Sequence, residues 1–130
     1  MQPSALMCGR YQPFHAGHDW LIRQELQHGP VQIAVRNIEP DDRNPLTTQQ
    51  TVEILEAAYE GEAVRVIVID DIRSVSYGRG VGYDITEHVP PPDIGGISAT
   101  RIRECIANGD DSWKDVVPAK AQALVAEYLG

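Results

Sequence analysis

Ser4-Ala5-Leu6-Met7-Cys8-Gly9-Arg10-Tyr11-Gln12-Pro13-Phe14-His15-Ala16-Gly17-His18 is the stretch whose reading decides the fold. Ser4 to Cys8 is uncharged and mostly apolar, and Gly9 ends it at once, as at the close of a buried strand. Arg10 to Ala16 contains Pro13 and reads as a loop. Gly17 to His28 then carries Ile22 and Leu26 one helical turn apart, with Trp20 and Leu21 beside them. His28-Gly29-Pro30 stops that helix. A short buried strand that feeds a helix through a polar loop begins a strand–helix–strand unit.

The rest of the chain continues the alternation. Val31 to Val35, VQIAV, is rich in β-branched residues and predicts a second strand. Residues 36–45 hold two prolines and two asparagines and predict a loop. Thr47 followed by Gln50 is a capping-box pattern, opening a helix with Val52, Leu55 and Tyr59 on one face and Gly61 after it. Val64 to Ile69, VRVIVI, predicts a third strand. Residues 70–82 form a long glycine-containing loop, and Tyr83 to Val89 carries a weaker strand pattern. Pro90-Pro91-Pro92 predicts extended chain. Ser98 caps a helix to about Ala107, ended by Asn108-Gly109, and Pro118 opens a last helix with Ala121, Leu124, Val125 and Tyr128 inward. Strands alternating with amphipathic helices predict a parallel α/β sheet with helices on both faces, in a single domain over 1–130. Ligands of such sheets sit beyond the carboxyl ends of the strands, where the loops at 9–18, 36–47, 70–82 and 89–98 lie or lead.

Composition bounds the function classes. The chain has 130 residues, with 42% hydrophobic and 23% charged, ordinary for a globular protein. Its formal net charge of -8 makes nucleic acid a poor partner, so an anionic ligand must be held by local donors and helix ends. No apolar run approaches the roughly 18 residues that cross a bilayer, and the N-terminal stretch lacks a cationic segment of a secretory signal. No membrane and a cytoplasmic location are therefore expected. Cys8 and Cys105 lie far apart, form no metal or redox spacing, and read as buried free thiols.

Two segments carry chemistry. His15 precedes the first helix and His18 lies in its first turn, so both imidazoles can flank one point at the positive end of the helix dipole. Gly9 permits a tight exit from the strand, and Gly17 permits close approach of a ligand to the backbone. That arrangement suits the oxygens of a triphosphate. Two histidines at this spacing are also found as plain capping or surface residues. A zinc site is disfavoured, since no third ligand stands at a suitable spacing. The second segment is Ile97-Ser98-Ala99-Thr100-Arg101-Ile102-Arg103. It delivers Ser98 and Thr100 to a helix N-terminus, with Arg103 on the same face as Thr100. Taken alone, it is equally a plain cap with a solvated arginine.

Taken together, the two segments resemble the two signatures of the nucleotidyltransferase superfamily named for its His-x-Gly-His motif. GRYQPFHAGH resembles the Gly-Arg-Phe-Gln-Pro-Phe-His-x-Gly-His form of nicotinamide mononucleotide adenylyltransferases. ISATRIRE resembles the family's Ile-Ser-Ser/Thr-Thr-x-Ile-Arg segment, and NPLT at 44–47 resembles their Asn-Pro-Phe-Thr. The resemblance implies a doubly wound, Rossmann-like, five-stranded parallel sheet. It also implies nucleotidyl transfer, in which an acceptor phosphate attacks the α-phosphorus of a nucleoside triphosphate and pyrophosphate leaves. On this resemblance His15, His18 and Arg103 are catalytic, and Gly9, Arg10, Tyr11, Phe14, Gly17, Ser98 and Thr100 bind the nucleotide. Arg36 or Arg43 can reach the triphosphate, magnesium rides mainly on the phosphate oxygens with no dedicated protein site, and a homodimer is expected. Arg73, Tyr77 and Arg79 in the 70–83 loop suit a small dianionic acceptor, or a solvated lid. The motif points to adenylyl transfer, whereas the short length resembles small cytidylyltransferases. The expectation is therefore transfer of CMP from CTP to a small phosphate or phosphonate. The alternatives are adenylyl transfer from ATP, with nicotinamide mononucleotide as acceptor, a non-catalytic nucleotide-binding module, and a domain normally fused to another enzyme.

Overall fold

The computed structural model describes residues 2–130. Three strands, β1 (Ala5–Cys8), β2 (Val31–Asn37) and β3 (Val64–Asp70), pair in parallel in the order β1-β2-β3. Met7 lies in register with Ile33, and Ile33 with Val66. Helix α1 (Ala16–Leu26) links the first two strands and α2 (Thr48–Ala58) the second pair. The Thr47–Gln50 capping box forms as the sequence predicts: Gln50 N–H donates to Thr47 Oγ1 at 3.1 Å and Thr47 N–H to Gln50 Oε1 at 2.9 Å. After β3 come a short α3 (Pro92–Gly95), α4 (Ala99–Ala107), a 3-10 helix (Asp111–Val116) and α5 (Ala119–Leu129). No helix among the described residues is long and apolar enough to cross a membrane.

The sheet has three strands, not five, and its helices lie on one face. Both crossovers run the same way across the sheet, so right-handed connections place α1 and α2 on the same side. A helix reaches the second face only where the strand order reverses, which needs a strand on the far side of β1. Residues 83–89 do not supply it. Asp84 and Glu87 interrupt their apolar pattern, prolines follow, and Tyr83, Ile85 and Val89 stay exposed. The helix α5 packs on α2 instead, and α4 on α5 and the 3-10 helix.

The core follows from this. Met7, Ile33, Val35 and Val66 face the helices and join Ile22, Ile54, Leu55, Ala121 and Val125 in one apolar cluster. Strand residues of the opposite parity, such as Leu6 and Ile67, stand outside it. Cys8 shares that parity, so it is exposed rather than buried, and Cys105 is only half-buried; both are free thiols. Two local readings also change. Pro91 is extended as expected, at φ -59° and ψ 156°, but Pro92 opens the turn of α3, because proline fits a first helical turn. The 3-10 helix, with no counterpart in the sequence reading, buries Trp113.

One buried polar residue ties the first loop to the next strand–helix connection. Gln12 is 5% exposed. Its Oε1 accepts from Leu46 N–H at 2.9 Å and its Nε2 donates to Leu46 C=O at 3.3 Å. Removing that side chain leaves both backbone groups buried without partners. Gln12→Ala is therefore expected to cost about 2–3 kcal/mol. Thermal unfolding of the variant should show Tm lower by on the order of 10 °C.

Candidate functional site: a histidine-capped helix beside an arginine-lined cavity

The two histidines are built into the helix start, not merely adjacent to it. His15 is the N-cap of α1, in extended backbone conformation. Its Nδ1 accepts from Gly17 N–H at 3.0 Å. In return, His18 Nδ1 accepts from His15 N–H at 3.2 Å. The rings stack, with centroids 3.9 Å apart and planes 24° from parallel. An imidazole nitrogen that accepts from an amide carries no proton, so both neutral rings hold theirs on Nε2. Two Nε2–H donors therefore stand side by side at the positive end of α1.

Glycine at position 17 serves this cap. A Cβ there would lie 2.8 Å from His15 Cε1 and 2.9 Å from its Nδ1, so only glycine fits beneath the ring. Gly9 answers to Tyr11 in the same way, since its Cβ would lie 2.9 Å from Tyr11 Cζ. Tyr11 takes φ 51°, which turns its ring back against the end of β1. It is 2% exposed and Phe14 1%, so both back the histidines from the core rather than face the cleft. Tyr11 packs 4.7 Å from the His18 ring, and Phe14 stacks on the same ring at 6.1 Å. Burial lowers the pKa of His15 to about 4. Burial, and then the neighbouring His15, lower that of His18 to about 3.

Arg103 joins the second segment to the first. It donates from Nη1 to Gln12 C=O at 2.6 Å and from Nη2 to Thr100 Oγ1 at 3.4 Å. Ser98 caps α4, its Oγ accepting from Arg101 N–H at 3.4 Å. The N-termini of α1 and α4 thus meet across the Arg103–Gln12 contact. Sequence reasoning passed over Gln12, although it lies inside the first signature; its bonds to Leu46 and its carbonyl's bond from Arg103 make it the junction of three segments.

A cavity of about 390 Å³, which neither histidine lines, opens among residues that follow or end the three strands. Arg10, Arg36 and Arg43 line it together with Glu39, Asp41 and Asp71, so its cationic and acidic side chains balance. The structure thus brings together Arg10, Arg36 near the end of β2, and Arg43 of the loop that follows; β2 runs two residues beyond the predicted strand. Arg36 is held by Asp71 at 2.8 Å. Asp41 turns that loop, accepting from Arg43 N–H at 2.9 Å and Asn44 N–H at 2.8 Å. Arg73, Tyr77 and Arg79 stand apart: all three are exposed, none lines the cavity, and no described hydrogen bond or ion pair involves them.

A parallel α/β sheet with two capped helix starts and an arginine-bearing cavity at its carboxyl edge has the layout of a nucleotide-binding protein. The chain belongs to the cytidylyltransferase-like family of nucleotidyltransferases, whose model matches residues 6–128. A nicotinamide-nucleotide adenylyltransferase of Ignicoccus hospitalis is 28% identical, over 97% of this chain and 92% of that protein. One of Caldivirga maquilingensis is 23% identical, over 96% and 88%. An uncharacterized protein of Aeropyrum pernix is 26% identical, over 97% and 92%. The Ignicoccus alignment runs to 161 positions against a chain of 130 residues, so at least 31 of its positions have no residue of this chain opposite them.

The histidine cap makes stability depend on pH. Both pKa values lie below the ordinary 6.5, so the unfolded chain binds more protons as pH falls from about 6.5 toward 4 and 3. The contribution is complete above that window and is lost on descending through it. Urea unfolding at stepped pH should show stability falling already between about 6.5 and 5, above the range of ordinary carboxylates. That early fall should be shallower in the His15→Asn/His18→Asn double variant.

Proposed function

We propose that the chain is an adenylyltransferase that transfers AMP from ATP to the phosphate of nicotinamide mononucleotide and releases pyrophosphate. The observation that carries this reading is the pair of Nε2–H donors on the α1 N-terminus, in a chain aligned nearly end to end with nicotinamide-nucleotide adenylyltransferases. Those relatives favour adenylyl over the expected cytidylyl transfer, in keeping with the first signature.

On this reading an acceptor phosphate oxygen attacks the α-phosphorus, the bond to the bridging oxygen breaks, and pyrophosphate departs with the electron pair. The acceptor is already ionised at neutral pH, so no general base is required. His15 and His18 donate Nε2–H to oxygens of the triphosphate as charge develops there. Ser98, Thr100 and the α4 N-terminus hold the departing phosphates, with Arg103 beside them. Arg10 and Arg43 supply cationic donors in the cavity, while Arg36 keeps its tie to Asp71. Among the described residues no three metal-ligating side chains meet. Magnesium would ride on the phosphate oxygens and water, where it would offset charge on the leaving group. The 70–83 loop, with Arg73, Tyr77 and Arg79, folds over the acceptor. A homodimer without nucleic-acid or membrane partners completes the reading.

The shortness of the chain favours a second reading, cytidylyl transfer to a small phosphate or phosphonate. Pyrophosphate release separates the two. ATP with nicotinamide mononucleotide should turn over, and CTP with glycerol phosphate or a small phosphonate should not; the reverse result gives the second reading. His15→Ala, His18→Ala and Arg103→Ala should each lower turnover by about 10²-fold or more in folded protein. No loss in any of the three would remove the catalytic assignment.

The acceptor loop has its own test. Arg73→Ala or Arg79→Ala should raise the acceptor KM by about 1.5–3 kcal/mol, for a lost charged hydrogen bond, with little change in the triphosphate KM. Equal losses for both substrates would place these arginines on the triphosphate, and no loss for either would leave the loop a solvated lid.

A further inference from the structure

Tyr59 closes α2 as its C-cap and is 3% exposed. Its ring and its hydroxyl reach the histidine cap from two sides. The ring stands edge-on to Phe14, with centroids 5.5 Å apart and planes at 70°, and Phe14 in turn stacks on His18. The hydroxyl donates to Asp19 Oδ1 at 2.7 Å, and the Asp19 backbone N–H donates to His15 C=O at 3.1 Å. Burial, and then the bond to Asp19, raise the pKa of the phenol, so the group stays O–H and donates. Phe14 and Asp19 flank the histidine segment in sequence, so one side chain from the end of α2 holds both ends of it. The same carboxylate accepts from Arg23 Nε at 3.2 Å, and Arg23 lies 5.4 Å over the Tyr59 ring. Arg23 Nη2 donates to Glu62 Oε2 at 2.9 Å, in the turn before β3.

We propose that Tyr59 is a positioning residue for His18. Through Phe14 on one side and Asp19 on the other, it holds the imidazole so that Nδ1 keeps the His15 amide and Nε2–H keeps its aim. The bond from His15 N–H to His18 Nδ1 is long, at 3.2 Å, so the ring needs walls that do not move. An apolar residue at 59 would fill the same space. A buried hydroxyl on a carboxylate also fixes distance and direction. The inference deepens the nucleotidyl-transfer reading, and its kinetic arm rests on that reading. The ring geometry does not.

Proton–nitrogen NMR of the free full chain tests the geometry. Tyr59→Phe keeps the ring and loses the hydroxyl. In this variant the His18 nitrogen resonances should move toward values averaged over two tautomers. The His15 amide should exchange with solvent at least about tenfold faster, while the Gln50 amide in the other cap is unchanged. Asp19→Ala, at a more exposed position, should do the same and is the second variant should the first not fold. Asp19→Asn keeps an acceptor for the phenol and should restore the wild-type resonances. With ATP and nicotinamide mononucleotide, Tyr59→Phe should lower kcat about tenfold and leave the triphosphate KM within about twofold. It should add no further loss to His18→Ala, because it acts through that ring. Wild-type His18 resonances and His15 exchange in both Tyr59→Phe and Asp19→Ala overturn the inference. So does a loss of kcat in Tyr59→Phe that persists undiminished in the His18→Ala background. A lower Tm with unchanged resonances and kcat also overturns it, by making Tyr59 a packing residue alone. Full turnover of His18→Ala, with the resonance changes present, would instead overturn the reaction reading and leave the positioning intact.

Discussion

The site rests on a reciprocal cap made by two imidazoles. Each uses Nδ1 to accept a backbone amide, and those two bonds fix the start of α1, the tautomer of each ring and the direction of each remaining proton. The usual capping box uses hydroxyl and carboxyl or amide side chains, which spend their polar atoms on the helix end. Imidazole has a second nitrogen, so the cap and the ligand donor are one residue. That double use accounts for the surroundings. Gly17 leaves room beneath one ring, and Tyr11 and Phe14 wall the other from the core side. Burial keeps both rings neutral, so the free site holds donors without holding net charge.

A second constraint keeps distant segments together around the cap. Gln12 bonds Leu46 with its side chain and receives Arg103 on its carbonyl. The loop after β1, the loop before α2 and the start of α4 are thereby fixed to one another, although they lie far apart in sequence. Chemistry that depends on alignment more than on covalent help requires this kind of fixed relation between donors. The arginine-lined cavity and the open side of the sheet share one topological cause. Three strands laid down in one direction leave their carboxyl ends in a row, and leave β1 without an outer neighbour.

Much of this was legible in the residues. The three strands, four of the helices, the Thr47–Gln50 cap and the placement of His15 and Ser98 at helix starts all follow from local signals of capping, periodicity and β-branching. What failed was non-local. An alternating pattern at 83–89 becomes a strand only where it pairs and buries a face, and here it does neither. The strength of Tyr11 and Phe14 as site candidates came from motif membership, which does not say which way a side chain turns; φ 51° at Tyr11 turns it inward. Gln12 carried no local signal of its own, because its role depends on Leu46 and Arg103, 34 and 91 residues away. Cys8 was read as buried because a parallel strand is normally covered on both faces, and one face here is not.

The histidine cap is tested most directly by long-range proton–nitrogen NMR of the side chains at neutral pH, before and after addition of a non-hydrolysable ATP analogue. The account predicts that both His15 and His18 are neutral Nε2–H tautomers in the free protein, and that the triphosphate shifts both Nε2 resonances. A proton on Nδ1 of either ring, an imidazolium in the free protein, or Nε2 resonances that ignore the triphosphate would contradict it.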